Sequence, residues 1–200
     1  MKLYYAPGAC SQASHMALRE AGLDFQLEKV DLRKKITASG DDYRKINPLG
    51  YVPALELDDG VVITEGPAIM QFIADHAPAA GLLPTEGTAR YRAIGWLNFI
   101  ATELHKTCSP LFSPTLTEEQ RAPVIERLAV RLDRLELLFK TNSYLLGAQF
   151  SVADLYLFVI TGWFGHMNIP LKKWPHIERF REVVAARPAV QAALEAEGFL

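Results

Sequence analysis

A strand that stops at Pro7-Gly8 and restarts at once as a helix constrains this chain more than any other feature. Leu3 to Tyr5 are good strand formers, and Pro7-Gly8 breaks them. Ser11-Gln12-Ala13-Ser14-His15-Met16-Ala17-Leu18-Arg19-Glu20 then reads as a helix, with Met16 to Glu20 all strong helix formers. Cys10 therefore sits where strand hands over to helix, at the end where free N–H groups point outward. A thiol there is expected to ionise readily, since a cysteine pKa of about 8.5 can fall to roughly 3.5–7.5 at a helix N-terminus. The competing reading makes Cys10 a small buried hydrophobe, the usual fate of a free cysteine.

The residues after this break set the topology. Ala21-Gly22 stops the helix, and Asp24 to Val30 alternates apolar and polar residues at period two. Two extended segments joined by a helix make a βαβ unit with parallel strands and a right-handed crossover. Arg33-Lys34-Lys35 reads as a solvated loop, and Asp41 to Lys45 as at most a short helix ended by Asn47-Pro48. Gly50 to Leu57 is a strand entered through Pro53, and Asp58-Asp59-Gly60 turns it into Val61-Val62-Ile63, because Asp-Gly tolerates the positive φ of a hairpin. Pro67 opens a further helix, where its missing N–H costs nothing.

The second half has helical period throughout. Residues 77–86, rich in proline and small residues, read as a linker between a domain at 1–76 and a helical domain at 87–200. Thr88 to about Leu111 carries Tyr91, Ile94, Leu97, Ile100, Ala101, Leu104 and Cys108 on one wide apolar face. Asn98, Thr102 and His105, spaced four and three apart, are expected to line a second stripe. Ser151 and Asp154 form a capping box, with Asp in the usual Glu or Gln place, at the head of a helix that is apolar all round.

A net charge of −2 leaves no electrostatic footprint for nucleic acid or an anionic membrane. No apolar run is long enough to span a bilayer, and no leader is apparent after Lys2. Two distant cysteines make no disulfide framework, so a reducing cytoplasm is expected. Cys10, Cys108 and His105 lack zinc-ligand spacing, so no metal is expected either.

Ala9-Cys10-Ser11, Asn47-Pro48, Val52-Pro53-Ala54-Leu55 and Thr64-Glu65-Gly66, in that order, resemble the N-terminal domain of a glutathione S-transferase. With cysteine at the turn and Glu103-Leu104-His105-Lys106 later, the chain is most similar to the bacterial beta class. The resemblance implies a thioredoxin-like α/β domain (βαβ-ββα) followed by an all-α helical bundle, and a cytoplasmic homodimer. Glutathione would be the co-substrate, with no other cofactor, and the second substrate a hydrophobic electrophile.

The resemblance also assigns roles. Pro53 would be cis, presenting the Val52 backbone, beside Tyr51, to the cysteinyl peptide of glutathione. Glu65 would take the γ-glutamyl ammonium, the Gly66 N–H its carboxylate, and Lys35 the glycine carboxylate. Gly66 stands where the family commonly has serine and lacks its hydroxyl. Cys10, Ser11, Tyr5 and His105 are the candidate activators of the thiol, His105 being matched to a helix histidine that faces the glutathione sulfur. On its own a helix histidine is usually a structural or surface group. Trp163 and Phe112 are candidate walls for the electrophile, and Asn98 and Thr102 are further candidate substrate-binding residues. Two other activities fit the same scaffold: a monothiol glutathione-disulfide oxidoreductase and a non-enzymatic interaction protein. A binding module would need none of Cys10, Glu65 and His105 together.

Overall fold

The computed structural model describes residues 1–200 and divides into two compact units, Met1–Thr85 with Arg187–Leu200, and Glu86–Ala186. In the first unit β1 (Lys2–Tyr5), α1 (Ser11–Glu20) and β2 (Gln26–Asp31) form the expected βαβ, with β1 and β2 parallel. A two-residue strand β3 (Ile36–Thr37), too short to leave a period in the sequence, adds to the outer edge of β2. β4 (Ala54–Glu56) and β5 (Val62–Thr64) form the hairpin, closed by Gly60 at φ 84°. The sheet order is β3-β2-β1-β4-β5, with every pairing except β1–β2 antiparallel. α2 (Gly66–His76) completes the thioredoxin-like layout.

The boundary expected at 77–86 shifts. Pro78–Ala80 form a single 3-10 turn, Leu82 and Leu83 are buried, and the segment through Thr85 packs with the first unit. The C-terminal helix α8 (Pro188–Glu197) also belongs there rather than to a helical domain running to residue 200. Val190 and Ala193 of this helix are buried, and its last residue adds a buried carboxylate. Glu197 Oε1 lies 2.8 Å from His15 Nδ1, and Oε2 accepts from the Gly8 N–H and from Gln12 Nε2, both at 3.0 Å. Arg19 Nε donates to His15 Nε2 at 2.8 Å, which leaves the imidazole proton on Nδ1 facing Glu197. Arg187 grips Glu20 with two donors at 2.5 and 2.8 Å. A buried carboxylate is tolerable only with such a full set of donors, and all of them lie on or beside α1.

The second unit is helical. α3 (Gly87–Phe99) runs into a π-helical segment, Ile100–His105, then α4 (Lys106–Cys108) and a 3-10 turn, Ser109–Phe112. α5 (Glu118–Phe139), α6 (Val152–Gly162) and α7 (Pro175–Ala185) complete it. Every residue of α6 from Val152 to Thr161 is buried, as an all-apolar helix requires. Asp154 closes its start: Oδ2 accepts from the Ser151 N–H at 2.8 Å and the Ser151 hydroxyl at 2.9 Å, and Oδ1 from the Leu145 N–H at 2.8 Å. Tyr91, expected on the apolar face of α3, is instead 74% exposed. No helix is long and apolar enough to cross a membrane.

Candidate active site

In the first unit the N-terminus of α1, the Val52–Pro53 peptide and the start of α2 carry the motif residues. Val52–Pro53 is cis, and the Val52 carbonyl accepts from the Cys10 thiol at 3.2 Å. The preceding carbonyl, Tyr51 O, is held by two donors at 2.8 Å, the Tyr43 hydroxyl and Asn47 Nδ2. Tyr43 is fully buried and packs against Tyr4, so this stretch of backbone hangs from the core of the sheet. Glu65 sits at φ 69°, a left-handed conformation that a non-glycine residue keeps only where its surroundings impose it. Its carbonyl accepts from the Ala68 and Ile69 N–H groups, while its side chain is exposed.

The ready ionisation expected of Cys10 is overturned. Its own N–H and that of Ser11 do lower the thiol pKa, as a helix start should, but desolvation outweighs them and the Glu65 carboxylate adds to it. The thiol is pushed up to about 12 although the residue keeps part of its surface. It is a neutral donor near pH 7.

Two other candidate activators are engaged elsewhere. Ser11 is fully buried, and its hydroxyl accepts from the Ala6 N–H at 3.2 Å and donates to the Ala6 carbonyl at 3.3 Å. Tyr5 is buried with its ring 6.2 Å from that of His15, and burial raises its hydroxyl pKa. Lys35 Nζ donates to the Gly50 carbonyl at 2.8 Å and lies 5.9 Å from the Tyr51 ring. Gly66 takes an ordinary helical φ at the first turn of α2.

The second unit gathers His105, Tyr156, Trp163 and Phe112. His105 Nδ1 lies 2.7 Å from the Tyr156 hydroxyl, and its ring meets Trp163 edge-on at 5.0 Å. Phe112 meets Trp163 in the same way at 5.2 Å and is 55% exposed, while Trp163 is buried. Burial first, and the Lys106 charge second, lower the His105 pKa to about 4, so the imidazole is neutral near pH 7.

The stripe expected from Asn98, Thr102 and His105 is broken. Asn98 and Thr102 are exposed, with the Thr102 hydroxyl donating back to the Asn98 carbonyl at 2.9 Å. On an unbroken α-helix His105 would lie about 120° round from Ala93. A π-turn absorbs one extra residue, about 100° of rotation, and brings it close to the buried line. The Lys106 N–H donating to the Ala101 carbonyl marks that turn.

Sequence reasoning missed Tyr156, Tyr43 and Gly50. The signal for Tyr156 was there, since a tyrosine in an otherwise apolar buried helix needs a partner for its hydroxyl.

Two family models match the chain: the N-terminal domain of glutathione S-transferase over residues 8–76, and the C-terminal domain over residues 99–188. Glutathione S-transferase GstA of Escherichia coli O157:H7 is 49% identical over 99% of both chains. A sphingomonad glutathione S-transferase solved in complex with glutathione superimposes with a TM-score of 0.96 at 45% identity, over all of both chains. A bacterial beta class glutathione S-transferase from Sphingomonas chungbukensis gives a TM-score of 0.96 at 44% identity, again over all of both chains. The ordered motifs, the cis peptide beside Cys10 and similarity over the full length agree: the chain belongs to the glutathione S-transferase family and is of its bacterial beta-class type.

Proposed function

We propose that the protein binds glutathione on its first unit and transfers the glutathione sulfur to hydrophobic electrophiles. The observation that carries this reading is the Cys10 thiol donating to the carbonyl of the cis Val52–Pro53 peptide. It puts a neutral S–H beside the backbone that an extended cysteinyl peptide pairs with as an added strand would. A neutral thiol can turn its hydrogen from that carbonyl to an incoming thiolate, whereas an ionised Cys10 would repel one. Stabilising the glutathione thiolate raises its fraction at neutral pH faster than its nucleophilicity falls.

Glu65, exposed and unpaired, takes the γ-glutamyl ammonium, and the Gly66 N–H at the head of α2 takes the neighbouring carboxylate. Lys35 supplies the cation for the glycine carboxylate. In the second unit, Phe112 and Trp163 offer the aromatic surface an apolar electrophile needs, and His105, neutral and bound to Tyr156, is the imidazole available for proton transfer. The working form is a cytoplasmic homodimer.

Glu65→Ala tests the binding mode, because it leaves a ligand ammonium without its partner. Glutathione affinity measured by calorimetry should fall about 30-fold or more. Unchanged affinity would remove Glu65 from the site.

A further inference from the structure

We propose that Gly50 makes the protein selective for a thiol peptide ending in a free carboxylate, by leaving open the path along which Lys35 delivers its ammonium. The proposal rests on the glutathione reading and goes beyond it, since the selecting residue has no side chain and touches no substrate.

Lys35 is held unusually firmly for a surface lysine. Its backbone is left-handed at φ 59°, with its N–H donating to the Asp31 carbonyl at 2.7 Å and its carbonyl accepting from the Tyr43 N–H at 2.9 Å. Its side chain then runs across Gly50, and Nζ donates to the Gly50 carbonyl at 2.8 Å. None of the ion pairs of the chain involves it. An ammonium has three donors, so two remain for a ligand, in a direction set by the first.

A Cβ on Gly50 would lie 2.9 Å from Lys35 Cδ, 3.1 Å from Cε and 3.4 Å from Nζ. Real side chains do not approach so closely, so any other residue at 50 must push the lysine stem aside. Gly50 itself sits at φ 65° and its N–H donates to the Asn47 carbonyl at 2.7 Å, so the turn cannot easily drift to make room. The lysine must therefore move, and its ammonium moves with it. A glycine is required here for two separate reasons, its φ and the close crossing, and only the crossing bears on the ligand.

The test compares glutathione with its glycyl monoethyl ester, which keeps every other group and loses one charge. Wild-type kcat/KM should favour glutathione by about 10-fold to 100-fold, the worth of a charge-assisted hydrogen bond. In Gly50→Ala the glutathione value should fall by about that factor, while the ester value stays within about twofold, so the preference collapses. Lys35→Met, which leaves the Gly50 turn intact, should collapse it equally, and the double variant should lose no more than either single one. Gly50→Ala that keeps the wild-type preference overturns the proposal. So does Gly50→Ala that lowers both substrates alike, since that reports a damaged turn. If wild type shows no preference while Glu65→Ala still abolishes binding, Lys35 is not the carboxylate partner and the glutathione reading survives alone. A wild type inert towards both thiols would overturn the transferase reading and this proposal with it.

Discussion

Two helix starts in the second unit are closed differently from two in the first. In the second unit α5 and α6 each begin with a complete capping box. The Thr117 hydroxyl accepts from the Gln120 N–H at 3.3 Å and the Gln120 side chain accepts from the Thr117 N–H at 3.0 Å, with Ser151 and Asp154 doing the same work for α6. In the first unit α1 and α2 begin at Cys10 and Glu65, and neither side chain caps its helix. No acidic residue occupies the first turn of either. A helix start has N–H groups with no partner inside the helix, and a side-chain cap contributes about 1 kcal/mol by satisfying one of them. The starts of α5 and α6 are closed by their own side chains, whereas those of α1 and α2, which carry the motif residues Cys10 and Glu65, are not. A reactivity measurement at α1 and substitutions at α6 and α2 probe these starts one at a time.

The largest effect concerns Cys10. With its thiol pushed up to about 12, alkylation by iodoacetamide at pH 7 should run roughly a thousandfold slower than that of a free cysteine. Rates followed by intact mass spectrometry in the absence of glutathione measure this directly. A rate equal to that of free cysteine would show that the uncapped N–H groups outweigh burial after all.

At α6 the cost should appear in stability. Asp154→Ala removes the acceptor of three hydrogen bonds and leaves the Leu145 and Ser151 N–H groups unsatisfied, so unfolding in urea should lose about 3 kcal/mol. The loss depends on pH. Burial raises the Asp154 pKa to about 6 against its several hydrogen bonds, so the folded state holds a proton that the unfolded state releases above about pH 4. Native stability from this group therefore declines as pH rises from about 4 to 6, and the margin of wild type over Asp154→Ala should be wider at pH 4.5 than at pH 7. A margin that grows with pH would contradict this.

The same contrast explains what could be read from the sequence. Capping boxes are local, four-residue patterns, and Ser151-Val152-Ala153-Asp154 was legible without any structure. The βαβ-ββα order was legible because Pro7-Gly8 and Asp59-Gly60 punctuate segments with a clear period. The π-turn was not. Ala93, Leu97, Ile100, Leu104, Cys108 and Leu111 are buried at spacings that an unbroken α-helix satisfies, so only the backbone records the extra residue that turns His105 inward. The allegiance of α8 was equally hidden, since an amphipathic pattern says which face is buried and not against what. Glu197 finds its partners at Gly8, Gln12 and His15, far away in sequence. The reversal at Cys10 had the same origin. Position at a helix start is legible, whereas desolvation depends on what packs over the sulfur.

The smallest effect tests whether the open start of α2 can be improved. Gly66 stands at the first turn of α2, where glycine has the highest conformational cost of any non-proline residue. Its φ is not left-handed, and a Cβ there would meet only Pro53 Cγ at 3.8 Å and Met70 Cε at 4.0 Å, both ordinary contacts. Gly66→Ser therefore fits without strain. It should raise stability by about 0.5 kcal/mol through reduced freedom of the unfolded chain. It also adds a hydroxyl beside the N–H proposed to take the γ-glutamyl carboxylate, worth about 0.5–1 kcal/mol as one net hydrogen bond, or a two- to fivefold gain in glutathione affinity. The Met1–Thr85 unit keeps the N–H in either variant, so the turnover number should stay within about twofold of wild type. Calorimetry on Gly66→Ser separates the two contributions, because the stability gain needs only the backbone and the affinity gain needs the hydroxyl. Gly66→Ala should therefore reproduce the first and lack the second. An affinity gain in Gly66→Ala equal to that in Gly66→Ser would place the effect in the helix rather than in a contact with the ligand.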